Sequence, residues 1–312
     1  MTSEASRIEA LTSEILMISP TAFAYNIETA SDNTFMNADA AGADIPAAAA
    51  QEHAALVAAA RAAGLHVHAL PGAGLPDEVF PNNWVSSHRV APGSGTPSVV
   101  VYPMAVHSRQ AEVREDAKAI MLHGRRPDSV WDMPSELGTM HALEGTGALV
   151  LDRARHIAYC AISARAAEER TRRWAERMGY RLVLFRATDA ADKPVYHTNV
   201  LLSVGATAAV VCAEAIPDEH ERAAVLSSLA QGTDYPVIQI SREQMALFAG
   251  NVLQLRGPEQ PVWLMSQSAH DAFTGEQQEI LGTGSDICAV PIPVIERIGG
   301  GSVRCTIAEV FA

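Results

Sequence analysis

The chain has 312 residues, of which 48% are hydrophobic and 19% charged, and its formal net charge at pH 7 is −13. This composition is globular and excludes a disordered chain, while the acidity and the lack of a Lys/Arg stripe argue against a nucleic-acid partner. No apolar run reaches the length of a membrane span, and the N-terminal MTSEASRIEALTSE has no secretory-signal pattern. With four cysteines in such a chain, free thiols and a cytoplasmic location are expected.

Short apolar segments alternate with helix-forming segments along the chain, which is typical of an α/β fold. The helical segments are rich in Ala, Glu, Arg and Leu, and the Ala-rich stretch Ala40–Ala60 is predicted to be helical after Pro46. In chain order we predict strand Ile15–Ile18, helix His53–Ala63, strand Leu65–Leu70, helix Arg109–Leu122, helix Arg165–Met178, strand Arg181–Phe185, helix Asp218–Leu229 and strand Val237–Ile240.

A repeat runs through the remaining strands, because Gly147, Asn199 and Asn251 begin similar segments at intervals of 52 residues. These segments read GALVLDRARHIAYCAIS, NVLLSVGATAAVVCAEAI and NVLQLRGPEQPVWLMSQS. An earlier copy begins near Asn83, and a last one contains Cys305. The unit is strand–strand–helix–strand over about fifty residues, and about five such units fit in the chain. The repeat predicts one closed domain over residues 1–312 in preference to a plain α/β sandwich.

Three segments carry polar residues that an ordinary strand would not need. Glu144 precedes a Gly-Thr-Gly turn, and His197 and Asn199 are predicted to share one face of a strand. Cys305 follows three glycines and Arg304, a setting expected to expose the sulfur and lower its pKa. Each of these residues alone also fits a structural role. The repeat, however, gives Asn83, Gly147, Asn199, Asn251 and the Cys305 region equivalent places around a ring, where they can converge.

Other kinds of site have no support in the sequence. The remaining cysteines, Cys160, Cys212 and Cys288, lie in apolar strands and are predicted to be structural. There is no HExxH, no CxxC, no Walker loop, no GxGxxG and no GxSxG, so neither a metal nor a nucleotide cofactor is predicted.

Five segments taken together resemble the guanidino-modifying (pentein) enzymes, which include arginine deiminases, dimethylarginine hydrolases and amidinotransferases. They are ILMISPTAFAYN, VFPNNWVSSH, LEGTGALVLDR, YHTNVLLSVG and GGGSVRC, and they span residues 15 to 305. The chain is most similar to the arginine-deiminase-related branch described as citrulline-utilization hydrolases. The resemblance implies a five-bladed, pseudo-symmetric α/β propeller of ββαβ-like units, a site in its central channel and covalent chemistry without metal or organic cofactor.

The resemblance also implies roles for particular residues. Cys305 matches the nucleophile, His197 the general acid/base and Glu144 the carboxylate that orients it. Arg165 matches, more loosely, an arginine that binds the α-carboxylate of the substrate. The implied partner is a small amino-acid substrate, and a homo-oligomer is left open.

The chain departs from the arginine-processing relatives where they hold the guanidinium with acidic residues. Those positions here are Asn83 (or Asn82) and Asn199. An amide donates and accepts hydrogen bonds and suits a neutral ureido group, whereas a buried guanidinium without a counter-charge costs several kcal/mol. Citrulline is therefore the expected substrate, with ornithine, ammonia and carbon dioxide as products. Ser19, where relatives commonly carry a basic residue, leaves a modified ureido or amidino ligand open.

Three alternatives remain at this point. A guanidine hydrolase, either an arginine deiminase or a dimethylarginine hydrolase, would need an acidic group near the site, for which Asp77, Asp132 and Asp152 are candidates. An amidinotransferase is the second alternative. The third is a catalytically silent protein that binds an amino acid as a sensor, in which Cys305 would be unreactive.

Overall fold

The computed structural model describes residues 2–37, 44–91, 93–138 and 141–311. Within these ranges the strands form five small sheets of three strands each. In every sheet the central strand pairs antiparallel with one neighbour and parallel with the other. The strands are β1 (Glu14–Ile18), β2 (His66–Leu70), β3 (Val85–Ser87), β4 (Val99–Val101), β5 (Val130–Asp132), β6 (Val150–Asp152), β7 (Ile157–Ala161), β8 (Arg181–Phe185), β9 (Leu202–Val204), β10 (Ala209–Val211), β11 (Val237–Gln239), β12 (Leu253–Arg256), β13 (Pro261–Ser266), β14 (Asp286–Val290) and β15 (Ala308–Val310).

Helices connect the parallel strands of each sheet, as expected for crossover connections. The predicted strand–strand–helix–strand unit is therefore confirmed. The helices are α1 (Glu4–Glu9), α2 (Ile45–Ala62), α3 (His107–Gln110), α4 (Glu115–Leu122), α5 (Met133–Leu137), α6 (Gly145–Ala148), α7 (Glu168–Met178), α8 (Glu219–Ala230), α9 (Arg242–Ala246), α10 (Gln267–Ala272), α11 (Gly275–Gly282) and α12 (Pro293–Gly299).

The first sheet joins the two ends of the described chain, because β15 pairs antiparallel with β1 while β2 pairs parallel with it on the other side. Neighbouring sheets contact one another: β15 packs against β3, β6 against β9 and β9 against β12. The core is apolar and continuous along the central strands. Every residue of β4 and of β13 is buried, and burying a Val or Leu side chain contributes about 1.5–3 kcal/mol.

Two predicted elements are wrong in detail. The single helix expected over Arg109–Leu122 is two helices, α3 and α4, with extended backbone at Arg114 (φ −131°, ψ 136°). Arg109 of α3 forms a buried ion pair with Glu112, which lies in the segment between the two helices. Helical periodicity reports a local preference and does not show where the tertiary structure interrupts a helix.

The expectation that His197 and Asn199 share a strand face is also wrong. Residues Thr198–Val200 form a 3-10 turn, and β9 begins only at Leu202. Thr198 holds this turn, since its hydroxyl donates to Ala148 O at 2.6 Å and accepts from Ala161 N at 2.7 Å.

The other predicted strands and helices lie within three residues of their expected bounds, except that the Ala-rich helix begins earlier, at Ile45. Residues 40–43 of that Ala-rich stretch lie outside the described residues. All four cysteines are free, as predicted. In the described part of the chain, no helix combines the length and the apolar character that a membrane crossing requires.

Candidate active site

The turns that lead into the first strand of each sheet meet in one place. Helix α6 packs against the Pro81–Asn83 and Thr198–Val200 turns, and the Pro81–Asn83 turn packs against the Val303–Thr306 turn. The contact is so close at Gly147 that a Cβ there would lie 2.4 Å from Asn83 Nδ2 and 2.8 Å from His197 Nδ1. The equivalent positions of the repeat therefore converge.

Cys305 lies in the 3-10 turn Val303–Thr306 and is buried. Two side-chain amides donate to its sulfur: the distance from Sγ is 3.3 Å to Asn251 Nδ2 and 3.5 Å to Asn199 Nδ2. Burial raises the pKa of the Cys305 thiol, although the two amides and Arg304 act in the opposite direction. The expectation of an exposed sulfur with a low pKa is therefore wrong, because the thiol is buried and Arg304, itself engaged by Glu309 at 3.1 Å, does not outweigh burial.

His197 and Glu144 form a buried pair, with 2.8 Å between Nε2 and Oε2. Burial alone would raise the pKa of Glu144, but Arg165, His197 and Arg109 lower this pKa to about 2, so the carboxylate is ionised. Burial lowers the pKa of His197 even against the Glu144 carboxylate, so the imidazole is neutral at pH 7. A neutral His197 donates its Nε2–H to Glu144 and keeps Nδ1 as a proton acceptor.

Arg165, the residue matched to substrate carboxylate binding, lines the same cavity as Cys305 and His197. Its Nε lies 2.9 Å from Asp32 Oδ2, and its Nη2 donates to Thr29 O at 2.7 Å. Asp32 and Thr29 belong to the loop that follows β1. The Asp32 carboxylate, whose side chain is 31% exposed, therefore already occupies the guanidinium of Arg165 that the resemblance assigns to a substrate carboxylate.

The two neighbouring asparagines have different surroundings. Asn83 lines the cavity, where its Oδ1 accepts from Arg109 Nη1 at 2.7 Å and its Nδ2 donates to Asn82 Oδ1 at 2.9 Å. Asn82 is fully buried behind it and does not line the cavity. Burial lowers the pKa of Arg109, but the Glu112 carboxylate, 2.8 Å away, outweighs burial and raises that pKa, so the guanidinium stays charged.

Asp77 also lines the cavity and is buried. Its Oδ2 accepts from Asn26 Nδ2 at 2.8 Å and from Thr29 Oγ1 at 3.1 Å. Its Oδ1 is buried and has no hydrogen-bond partner among the described residues. Burial raises the pKa of Asp77, with Arg109 opposing the shift. An unpaired buried acceptor costs about 1–3 kcal/mol, so this oxygen is poised for a donor from a ligand.

The other acidic candidates are not in the site. Asp132 caps α5 by accepting from Ser135 N at 3.3 Å, and Asp152 forms a 2.5 Å ion pair with Arg155. Neither lines the cavity around Cys305. This cavity is narrow, with a volume of only about 10 Å³, and Asn33, which also lines it, donates from Nδ2 to Gly299 O and Gly300 O at 3.3 Å each.

Sequence reasoning missed two residues around this site, Arg109 and Asp32. They had no signal, since one lies in a predicted helix and the other in an irregular loop. Asn251 was placed on the ring by the repeat, in which it holds the same position as Asn199, 52 residues earlier, but its contact with the sulfur was not predicted. Asp77 was named as a candidate acid but could not be distinguished from two others.

Comparison with solved structures shows the same fold in several proteins. The apo structure of ArgZ, an arginine dihydrolase from the ornithine-ammonia cycle in cyanobacteria, superposes with a TM-score of 0.73 and 17% identity, covering 95% of this chain and 40% of that chain. AgrE in a ternary complex with ornithine and NAD⁺ superposes with a TM-score of 0.74 and 18% identity, and the match covers 96% of this chain and 39% of that chain. The chain thus spans about two fifths of the length of these two relatives.

A third structure has nearly the same extent as this chain. It is a dimethylarginine dimethylaminohydrolase adduct with S-methyl-L-thiocitrulline, with a TM-score of 0.63 and 16% identity, covering 96% of this chain and 99% of that chain. The comparison with curated proteins gives no match in sequence. The family described as N,N dimethylarginine dimethylhydrolase, eukaryotic, matches residues 19–312. The chain therefore belongs to this family, within the pentein superfamily of guanidino-modifying enzymes.

Proposed function

We propose that the chain is a cysteine-dependent C–N hydrolase of a ureido amino acid, with citrulline as the first substrate to test. The observation that supports the proposal is the set of groups around Cys305. Both side chains that donate to its sulfur, Asn199 and Asn251, are amides, and a third amide, Asn83, lines the same cavity. Amides match the carbonyl and N–H groups of a neutral ureido group, and they supply no counter-charge to a guanidinium.

The charged residues of the cavity suit the other end of an α-amino acid. Arg165 and Arg109 are cationic and can bind an α-carboxylate. The unpaired Oδ1 of Asp77 can accept a hydrogen bond from an α-ammonium. The proposed site therefore has a charged end for the zwitterionic head group and an amide-lined end for the ureido group.

The proposed reaction follows from these positions. The sulfur of Cys305 transfers its proton to His197 Nδ1 and attacks the ureido carbon, while the Asn199 and Asn251 amides stabilise the thiolate. The C–N bond to one nitrogen breaks, and His197 returns the proton to that leaving nitrogen. Water, deprotonated by His197, then attacks the same carbon, and the carbon–sulfur bond breaks, which restores the Cys305 thiol and releases a carbamic acid. The remaining C–N bond breaks when this carbamic acid loses carbon dioxide and its nitrogen takes up the acid proton. With either leaving nitrogen, citrulline and one water give ornithine, ammonia and carbon dioxide.

The test is ammonia release from citrulline and from arginine, measured side by side with the purified chain. Activity on citrulline and none on arginine supports the proposal. Activity on arginine alone overturns the substrate class but keeps the chemistry. If neither compound reacts, labelling of the Cys305 thiol at neutral pH distinguishes the two remaining possibilities. In an enzyme with a different substrate, the thiol reacts with the label once a ligand is bound. In an amino-acid sensor, the thiol stays unreactive.

Asn199→Asp is expected to shift selectivity from ureido towards guanidino compounds. The new carboxylate favours a cation and loses a donor, so the ratio of kcat/KM for citrulline to that for arginine should fall by roughly tenfold or more, which is about 1.4 kcal/mol. The ratio cancels any change in the thiol pKa, because both substrates react with the same sulfur. Steady-state kinetics measure it, and an unchanged ratio would contradict the amide argument.

A second candidate, hydrolysis of a guanidino compound, is favoured by Asp77, because this alternative needs an acidic group in the site. Asp77→Asn separates the two assignments. If Asp77 binds the α-ammonium, kcat/KM should fall for citrulline and arginine alike, by about 1.5–3 kcal/mol or roughly ten- to a hundredfold. If Asp77 binds a guanidinium, only binding of arginine weakens. The control ligand is 5-ureidopentanoate, which lacks the α-ammonium and whose inhibition constant should not change.

We propose further that residues 1–312 are one domain in which the five sheets are the blades of a pseudo-symmetric propeller around this site. The shared pairing order of the sheets and the convergence of their leading turns support this arrangement. The cytoplasmic location stays a prediction from the sequence.

A further inference from the structure

A cluster of three histidines and one glutamate lies on the sheet of β15, β1 and β2. Glu14 Oε1 is 2.5 Å from His68 Nε2, and Glu14 Oε2 is 3.2 Å from His123 Nε2. The potential ligand atoms of Glu14, His66 and His68 all lie within 4.8 Å of one another. None of the four residues lines the cavity around Cys305, and the proposed reaction uses none of them.

The fold brings these residues together from three segments. Glu14 of β1 is the register partner of His66 of β2, and alternation along β2 places His68 on the same face as His66. Helix α4 packs against β1 on this sheet, with Met121 buried in the cluster that contains Leu16. The helix then ends in a left-handed residue at His123 (φ 50°, ψ 45°), whose side chain reaches Glu14.

The donor set is that of a borderline transition-metal ion. Imidazole nitrogen and carboxylate oxygen are the ligands that Zn²⁺ takes in four-coordinate sites, whereas Mg²⁺ and Ca²⁺ require sets of oxygen ligands. The two oxygens of Glu14 contact His68 and His123 separately, and the ring of His66 lies beside them. A cation bound among these groups would contact all four side chains at once.

The accessibility of the cluster also fits an ion from solution. The side chains of Glu14, His68 and His123 are 17%, 26% and 40% exposed, so an ion can enter without unfolding and the rings can rotate to the shorter metal–ligand distances. The backbone beneath them is held by the β1–β2 pairing and by the packed helix α4. The last carbonyls of α4 add negative partial charge near His123.

We infer that Glu14, His66, His68 and His123 form a binding site for a divalent transition-metal ion of the zinc type, which joins the end of α4 to the edge of the first sheet. Glu14, His66 and His68 supply three ligands, and His123, which contacts Glu14, is placed to turn inward as the fourth ligand of a closed tetrahedral site, so the ion is structural. Its binding stabilises the folded chain by RT ln(1 + c/Kd), where c is the ion concentration.

The test is calorimetric titration with Zn²⁺ of a parent variant, Cys288→Ala/Cys305→Ala, which removes the half-buried and the active-site thiols that could also bind zinc. We expect one ion per chain in the parent, and affinity weaker by more than about tenfold after His68→Ala or Glu14→Gln. The matched control is His270→Ala. His270 also lies beside a carboxylate, with 3.3 Å between its Nδ1 and Asp271 Oδ1, but among the described residues it belongs to no group of three potential metal ligands.

A second readout is thermal unfolding with and without Zn²⁺. Zinc should raise the Tm of the parent and of His270→Ala but not that of His68→Ala, and Mg²⁺ should raise none of them. Glu14→Gln keeps the shape of the side chain, so its loss of zinc affinity cannot be ascribed to misfolding. Equal zinc affinity in the parent and in His68→Ala, or no binding by the parent, would overturn the inference.

Discussion

Replacing Cys305 by alanine is expected to abolish ammonia release from citrulline, with kcat lowered by at least about 10⁴-fold. The substitution removes the sulfur that we propose attacks the ureido carbon, and neither of its amide neighbours can act as a nucleophile. The fold should survive, because the side chain loses only a sulfur whose hydrogen bonds with Asn199 and Asn251 are at 3.5 and 3.3 Å. The measurement is single-turnover and steady-state ammonia release at saturating citrulline.

The matched control for this variant is Cys288→Ala, which removes a half-buried thiol of β14 outside the cavity. It should keep activity near that of the unsubstituted chain. Residual turnover of the Cys305 variant within tenfold of the original would show that the reaction does not proceed through this sulfur. The variant should still bind citrulline, since Arg165, Arg109 and Asp77 are unchanged, and equilibrium binding would show this.

Glu144→Gln is expected to lower kcat by about 10³–10⁴-fold with a small change in substrate affinity. The glutamine oxygen can still accept the Ala105 N–H, which Glu144 accepts at 3.0 Å. The new amide then places N–H groups against His197 Nε2 and drives the ring proton to Nδ1, which is the wrong tautomer for accepting a proton from Cys305. The control is Glu221→Gln, which weakens an ion pair with Arg186 (3.0 Å) outside the cavity and should leave kcat unchanged.

The same variant has a pH signature in stability. The pKa of Glu144 is about 2 in the folded chain against an ordinary value of 4.5, so the stability from its ionisation is fully present above pH 4.5 and is lost as the pH falls towards 2. The difference in urea unfolding free energy between the original chain and Glu144→Gln should therefore shrink over this range. A constant difference would show that Glu144 does not ionise in this way, and a kcat loss below tenfold would contradict its role in orienting His197.

The arrangement of charge around the site refines the substrate argument made from the sequence. Asn83 was expected to face the substrate, but its amide is engaged by Arg109 and Asn82. The amides that contact the sulfur are Asn199 and Asn251. Neutral amides therefore contact the sulfur, while Asp77, the carboxylate that the guanidine alternative requires, lines the same cavity and accepts hydrogen bonds from Asn26 and Thr29. Both the substrate assay and the Asp77 variant test which of these groups binds the reacting end of the substrate.

The sequence by itself determined the repeating unit and the three residues proposed for the chemistry. Apolar periodicity is a local property, so the strands and most helices could be read directly, and the interval of 52 residues marked Gly147, Asn199 and Asn251 as equivalent before any contact was known. The resemblance then singled out Cys305, His197 and Glu144. In the structure His197 and Glu144 are 2.8 Å apart, and Cys305 lies on the same cavity as His197.

Only the tertiary structure decided which residues from outside the repeated segments lie at the candidate site. Asp77 lines the cavity from an irregular loop, and Asp32, from another loop, contacts Arg165. Arg109 lies in α3, the first part of a helix that periodicity predicts to be continuous. The ionisation of Cys305 was decided there too, since burial depends on every neighbour and outweighs the adjacent Arg304. The cluster of histidines around Glu14 was also decided by the tertiary structure. Strand register and helix packing bring Glu14, His68 and His123 together, and their spacing along the chain does not predict that they meet.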